Sequence, residues 1–202
     1  MTNIKTLSMT VGLSIFMITS CNNSESNKTL NTSEYFPLSI GNKWEYSVEY
    51  TTELLNVKKG EMIAKIDGKE KINDKDYFKL LYVYSGIPGV ETETYYIRKS
   101  DEGYFAINGK YKGSSEYLDM KLPIEVGSNW KSIMPELEID YNIVGIETLE
   151  LIDRKYKDCI KITFERNDGG EGIFYLAKGI GMVKYILKVN HIAFDMTLDN
   201  HN

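Results

Sequence analysis

The 202-residue sequence predicts an all-β fold made of two similar antiparallel meander halves, and three observations carry that prediction. After position 34 the chain runs in segments rich in Val, Ile, Thr, Tyr and Phe, many alternating with a period of two. Those segments are separated by turn-forming Asn, Asp and Gly. A nine-residue frame also occurs twice: Phe36-Pro37-Leu38-Ser39-Ile40-Gly41-Asn42-Lys43-Trp44 returns 86 positions later as Leu122-Pro123-Ile124-Glu125-Val126-Gly127-Ser128-Asn129-Trp130.

The frame holds both Trp residues of the chain. Proline fixes φ, glycine reaches a turn conformation costly to other residues, and a large indole can plug the half it opens. Pro37, Gly41 and Trp44, with Pro123, Gly127 and Trp130, are therefore read as structural markers of the start of each half. Weaker parallels follow in the same order, 74–77 with 153–156 and 94–99 with 173–178, each 79 apart.

Strands are expected over 44–57, 61–72, 77–84, 92–99 and 103–107 in the first half, and over 136–152, 156–166, 172–177 and 182–198 in the second. In 158–164 the alternation turns Ile160, Ile162 and Phe164 inward. The runs at 73–76, 108–109 and 167–170 read as hairpin turns. No helix is expected after residue 34, so the halves form one extended twisted sheet, a sandwich or a barrel.

The amino terminus has another character. Lys5 is followed by an apolar stretch at 7–18 and small residues up to Cys21, the order of a signal segment. Twelve helical residues reach about 18 Å, short of the roughly 30 Å hydrocarbon layer, which argues against a permanent span. Ile18-Thr19-Ser20-Cys21 resembles the lipobox of bacterial lipoproteins. That resemblance implies cleavage after Ser20, a diacylglyceryl thioether on Cys21, and membrane attachment by several acyl chains at about 0.8 kcal/mol per buried methylene. Asn22 is not the Asp that retains such proteins at the inner membrane, so the resemblance favours the outer membrane of a Gram-negative cell. Residues 22–34 are polar and too poor in apolar side chains to pack, hence a tether spanning on the order of 20 Å. The expected organisation is a signal peptide at 1–20, lipidated Cys21 and tether at 21–34, and one β domain at 35–202 with repeats at about 35–120 and 121–199.

Charge and cysteines narrow the partners. Without Lys5 the mature chain keeps 23 bases against 29 acids and has no basic run, which argues against nucleic acid. With Cys21 acylated, Cys159 has no intrachain partner, so packing must hold the fold, and 15 Tyr, 7 Phe and 2 Trp supply much of the buried area. Cys159 itself is read as a small buried hydrophobe.

The opening Pro37, Leu38, Gly41, Trp44 and Tyr46, the segment 158–160 and the closing 179–185 together resemble a broad group of bacterial secreted proteins and lipoproteins with a PLxxGxxWxY opening. The likeness covers nearly the whole mature chain. It implies an envelope protein and brings no catalytic residue with it. The second copy has Ser132 where the first has Tyr46, so the halves are not interchangeable.

No side-chain set points to catalysis, a metal or a cofactor. His191 and His201 lie outside HxxxH or CxxC spacing, with His191 expected on a surface strand and His201 in the tail. Gly179-Ile180-Gly181 lacks the third glycine and the helix of a phosphate cradle. Glu136, Glu138 and Asp140 alternate, as do Glu91 and Glu93; a solvated face explains them, with calcium or a hydrolytic carboxylate pair as sharper readings. Tyr82 and Tyr84 share a face and Tyr95-Tyr96 point to both, which suits a two-sided core or an aromatic ligand groove. The function expected first is a non-catalytic, membrane-anchored module that binds or scaffolds an envelope protein or ligand. The alternative is a carrier of a hydrophobic or glycan ligand, and a hydrolase on the acidic rows comes third. A roomy aromatic cavity would favour the carrier, two carboxylates converging in a cleft with a raised pKa the hydrolase, and a filled interior the scaffold.

Overall fold

Both copies of the repeated frame build the same hydrogen-bonded turn. In the first, Asn42 N–H donates to Ser39 O at 3.1 Å across Gly41, whose φ is 96°; in the second, Ser128 N–H donates to Glu125 O at 3.0 Å across Gly127, with φ 89°. A left-handed third position is what a type II turn demands, and glycine takes it without strain. Each turn then locks onto a neighbouring strand. Gly41 N–H donates to Ile66 O and Ile66 N–H to Asn42 O, and Gly127 N–H and Ile143 N–H do the same with Ile143 O and Ser128 O. Ile40 and Val126, apolar in the frame, sit at the second turn position and are exposed, at 61% and 53%.

The computed structural model describes residues 35–52, 55–87, 90 and 92–202. The expected signal segment with Ile18, Thr19 and Ser20, the expected anchor Cys21, the expected tether and Glu91 lie outside the described residues. Twelve strands follow in order: β1 (Lys43–Thr52), β2 (Leu55–Ile72), β3 (Lys75–Ser85), β4 (Glu93–Lys99), β5 (Gly103–Asn108), β6 (Tyr117–Lys121), β7 (Asn129–Met134), β8 (Leu137–Leu151), β9 (Arg154–Arg166), β10 (Glu171–Ala177), β11 (Gly181–Val189) and β12 (Ile192–His201). They form one antiparallel sheet in the order β6-β5-β4-β3-β2-β1-β12-β11-β10-β9-β8-β7. Every neighbour is consecutive in sequence except β1 and β12, so the chain winds as a meander that brings its ends together.

The sheet is curled nearly into a barrel, with β6 and β7 at the seam. Side chains bridge it: Trp130 Nε1–H donates to Asp119 O at 3.0 Å, and the Ser132 hydroxyl donates to Leu118 O. At the corresponding place in the other half, Trp44 Nε1–H donates to Ile180 O at 2.6 Å and Tyr46 to Met182 O at 2.9 Å. The ladder between β11 and β12 begins only at Lys184, so these two carbonyls lie beyond it. Tyr46 and Ser132 thus hold equivalent positions and do similar work over different reaches, a long phenol in one half and a short hydroxyl at the seam.

The strand expectations need three corrections. The segment 44–57 divides at a hairpin after Thr52, and 182–198 divides at Asn190, whose φ of 51° starts a turn containing His191. His191 is therefore on a turn, and His201, expected in the tail, closes β12 opposite Trp44. Strands β6 and β7 were not expected at all. Asn108 and Gly109 do not form a tight hairpin: Asn108 has φ −70°, and its side chain caps a 3-10 turn at Gly109–Tyr111 by accepting from Lys110 N–H. The two-residue turn at Asn73 and Asp74, with φ 49° and 64°, is the left-handed kind that joins twisted strands.

Inward residues make a main core that holds Ile160 and Ile162, and Phe164 is buried in a smaller cluster with Ile139 and Leu187, all three inward as the alternation requires. Outside the barrel, Ile72, Tyr77, Tyr96 and Ile107 form a small second cluster. The Glu116 carboxylate lies beside it, held by Arg98 Nε at 2.7 Å and Lys75 Nζ at 2.7 Å as well as by the Tyr77 hydroxyl. The segment before β1 closes one barrel end. Tyr35, almost fully buried, donates to Asp158 O on β9 at 3.2 Å, while the Phe36 ring meets Tyr104 on β5 edge-on at 5.2 Å.

Candidate ligand-binding cavity

The barrel interior is not filled. Strand alternation sends Tyr82 and Tyr84 of β3 inward; Leu80 pairs with Tyr95, Ile97 with Ala106 and Ala106 with Tyr117, so these side chains face the same interior. From the other half come Tyr141, paired with Phe164, and Tyr185, paired with Phe174. Between the two walls lie an inner chamber of about 190 Å³ and an outer one of about 430 Å³. They share Tyr82, Asp119, Tyr141 and Tyr185 as lining residues and therefore adjoin one another.

The inner chamber is lined by Phe36, Pro37 and Leu38 of the segment before β1 and by Trp44, Ala64 and Leu176. The outer chamber reaches residues beside the opposite set of turns: Ile87 and Val90 between β3 and β4, Glu93 at the start of β4, Leu137 at the start of β8, and Arg166 at the end of β9. Successive turns of a meander alternate between barrel ends, so the mouth lies opposite the segment before β1.

Asp119 is the polar centre of this space. It stands where the register of β5 and β6 slips between Tyr104 and Phe105, and its backbone oxygen takes the Trp130 bond. Among the described residues no donor is bonded to its carboxyl group. It retains some exposure because it looks into the chambers, yet protein surrounds it, and burial pushes its carboxyl up to about 6. Exposed Glu93 at the mouth is also raised by burial, which outweighs its hydrogen bonds from Tyr95 and Tyr84. Burial likewise raises the phenols of Tyr82, Tyr95, Tyr117 and Tyr141, and the Asp119 charge adds to each. Arg166 is paired with Asp168 through Nε at 3.0 Å.

The residues singled out in the sequence fall unevenly around this site. Trp44 and Pro37 line the inner chamber; Gly41, Pro123, Gly127 and Trp130 shape the turns and seam that frame it. Tyr82, Tyr84 and Tyr95 face the cavity, whereas Tyr96 packs outside. Glu136, Glu138 and Asp140 are exposed, with Lys131 bridging the last two, and do not converge on the cavity. Cys159 is fully buried, its thiol pushed up to about 11 by burial. Among the described residues no group of three or more His, Cys, Asp or Glu is placed to hold a metal ion. Asp119 itself had no signal beyond a lone acid between apolar neighbours in a stretch not recognised as a strand.

No family model matches the chain, and no curated protein does. Solved structures do: a Bacteroides fragilis protein named as exported, with a YmcC-like fold, is 14% identical with a TM-score of 0.54, over 83% of this chain and 98% of its own. A Parabacteroides distasonis protein named as a lipoprotein is 13% identical with a TM-score of 0.41 over the same shares. The first likeness is one of fold.

Proposed function

We propose that the protein is a lipid-anchored envelope binding protein that carries a hydrophobic or amphipathic small molecule inside its barrel. One observation carries the reading: an aromatic-lined space opens inside the barrel beside its packed core and is reachable from the end opposite Phe36, Pro37 and Leu38. The outer chamber falls within the usual range of small-molecule sites. The described chain begins at Tyr35 on the plugged end, so a tether running from Cys21 would attach there and leave the mouth on the side away from the lipid. The row of Glu136, Glu138 and Asp140 faces solvent away from the cavity and gives the hydrolase reading no cleft.

Native mass spectrometry of the protein isolated from its own membranes tests both halves. The expected spectrum is a chain beginning at acylated Cys21 and bearing one non-covalent small-molecule adduct. An unacylated mass would overturn the anchor, and an acylated chain that neither carries nor takes up any apolar compound would overturn the carrier.

A further inference from the structure

The binding reading leaves open what kind of molecule the barrel holds, and the wall of the cavity bears on that. An empty apolar cavity needs no acid, yet Asp119 lines both chambers and has no bonded donor among the described residues. A buried carboxylate without a counter-charge is costly, and such groups persist where something neutralises them. The cationic side chain in the cavity lining is Arg166, and it is engaged by Asp168. The groups around the acid are aromatic rings: Tyr82, Tyr141 and Tyr185 line both chambers with it, and Tyr95 and Tyr117 line the outer one. Ring faces attract cations, most strongly where water is excluded, and a set of rings around one negative group is the recognised chemistry for an ammonium ion.

We propose that the cavity takes a lipophilic amine, with its apolar body among the aromatic side chains and one protonated nitrogen bonded to the Asp119 carboxylate where the chambers meet. This rests on the carrier reading and narrows it. The inner chamber, at about 190 Å³, exceeds an apolar cavity of about 150 Å³ known to accept benzene, so it has room for a ring or a short alkyl segment. A fatty acid would bring a second negative charge to Asp119, and an alcohol would bond it without neutralising it. With the carboxyl held at about 6, it is mostly ionised at neutral pH and ready for the ammonium.

The test is calorimetric titration of the full protein at pH 7.5 with decylamine and decanoate below their micelle concentrations and decanol below its solubility limit, repeated on Asp119→Asn. Decylamine is expected to bind at least tenfold tighter than decanol, with decanoate weakest. In Asp119→Asn the amine should fall to the affinity of the alcohol, whose own binding stays within about twofold. Equal affinities for amine and alcohol in the native chain, or an undiminished amine affinity in a folded Asp119→Asn, would overturn the ammonium site alone. Binding of none of the three would overturn the carrier reading with it. Should Asp119→Asn fail to fold, Asp119→Ser takes its place.

Discussion

Asp119 and Glu116 lie close in sequence, and their environments move their carboxyl groups in opposite directions. Arg98 beside Glu116 holds its carboxyl down at about 2, so the stability it contributes is present above its ordinary range and lost as pH falls toward 2. Asp119 is the reverse case: burial raises it to about 6, so the fold is favoured by its neutral form below about pH 4, and that advantage is lost as pH rises through 6. Asp119→Asn removes this second dependence. Urea unfolding should show variant and parent nearly equal at pH 4 and the variant more stable at pH 7.5 by on the order of 2 kcal/mol. A gap that does not change with pH would contradict the assignment. The sequence offered little warning of Asp119, because a carboxyl's meaning depends on what surrounds it, and its surroundings come from strands β3, β8 and β11, far away in the chain.

At the level of elements, the repeated frame was legible because its physics is local: a proline, a left-handed glycine and an indole act within nine residues. What the indoles reach is not local. Trp44 bonds the turn before β11, and Trp130 bonds β6 across the seam and stacks on Tyr141 at 4.8 Å. Trp44→Ala and Trp130→Ala should each cost about 3–5 kcal/mol, since each removes a large buried ring and leaves a carbonyl without its donor. Denaturant melts would measure this, and hydrogen exchange should separate the two. Only Trp130→Ala is expected to expose the amides of β6 and β7; unchanged melting in either variant would refute its role as a plug. Those same two strands escaped the sequence reading for a related reason. They are five and six residues long, and they are held at the seam by side chains rather than by a ladder whose pattern could be read in advance.

Across the whole molecule, alternation announced an all-β chain but left sheet, sandwich and barrel equally open. Closure depends on strand twist accumulated over twelve strands and on two seam contacts, and neither has a signature in any one segment. An unfilled interior is equally silent in sequence, because inward tyrosines read alike whether they meet across a core or face a void. The account therefore rests on whether that void binds anything. The direct measurement is a fluorescence titration with N-phenyl-1-naphthylamine on the native chain and on Ala106→Trp, which places an indole among the residues lining the outer chamber. The account predicts saturable one-to-one binding that falls at least tenfold in a variant with an unchanged circular dichroism spectrum. Equal binding by both proteins would place the probe elsewhere and contradict it.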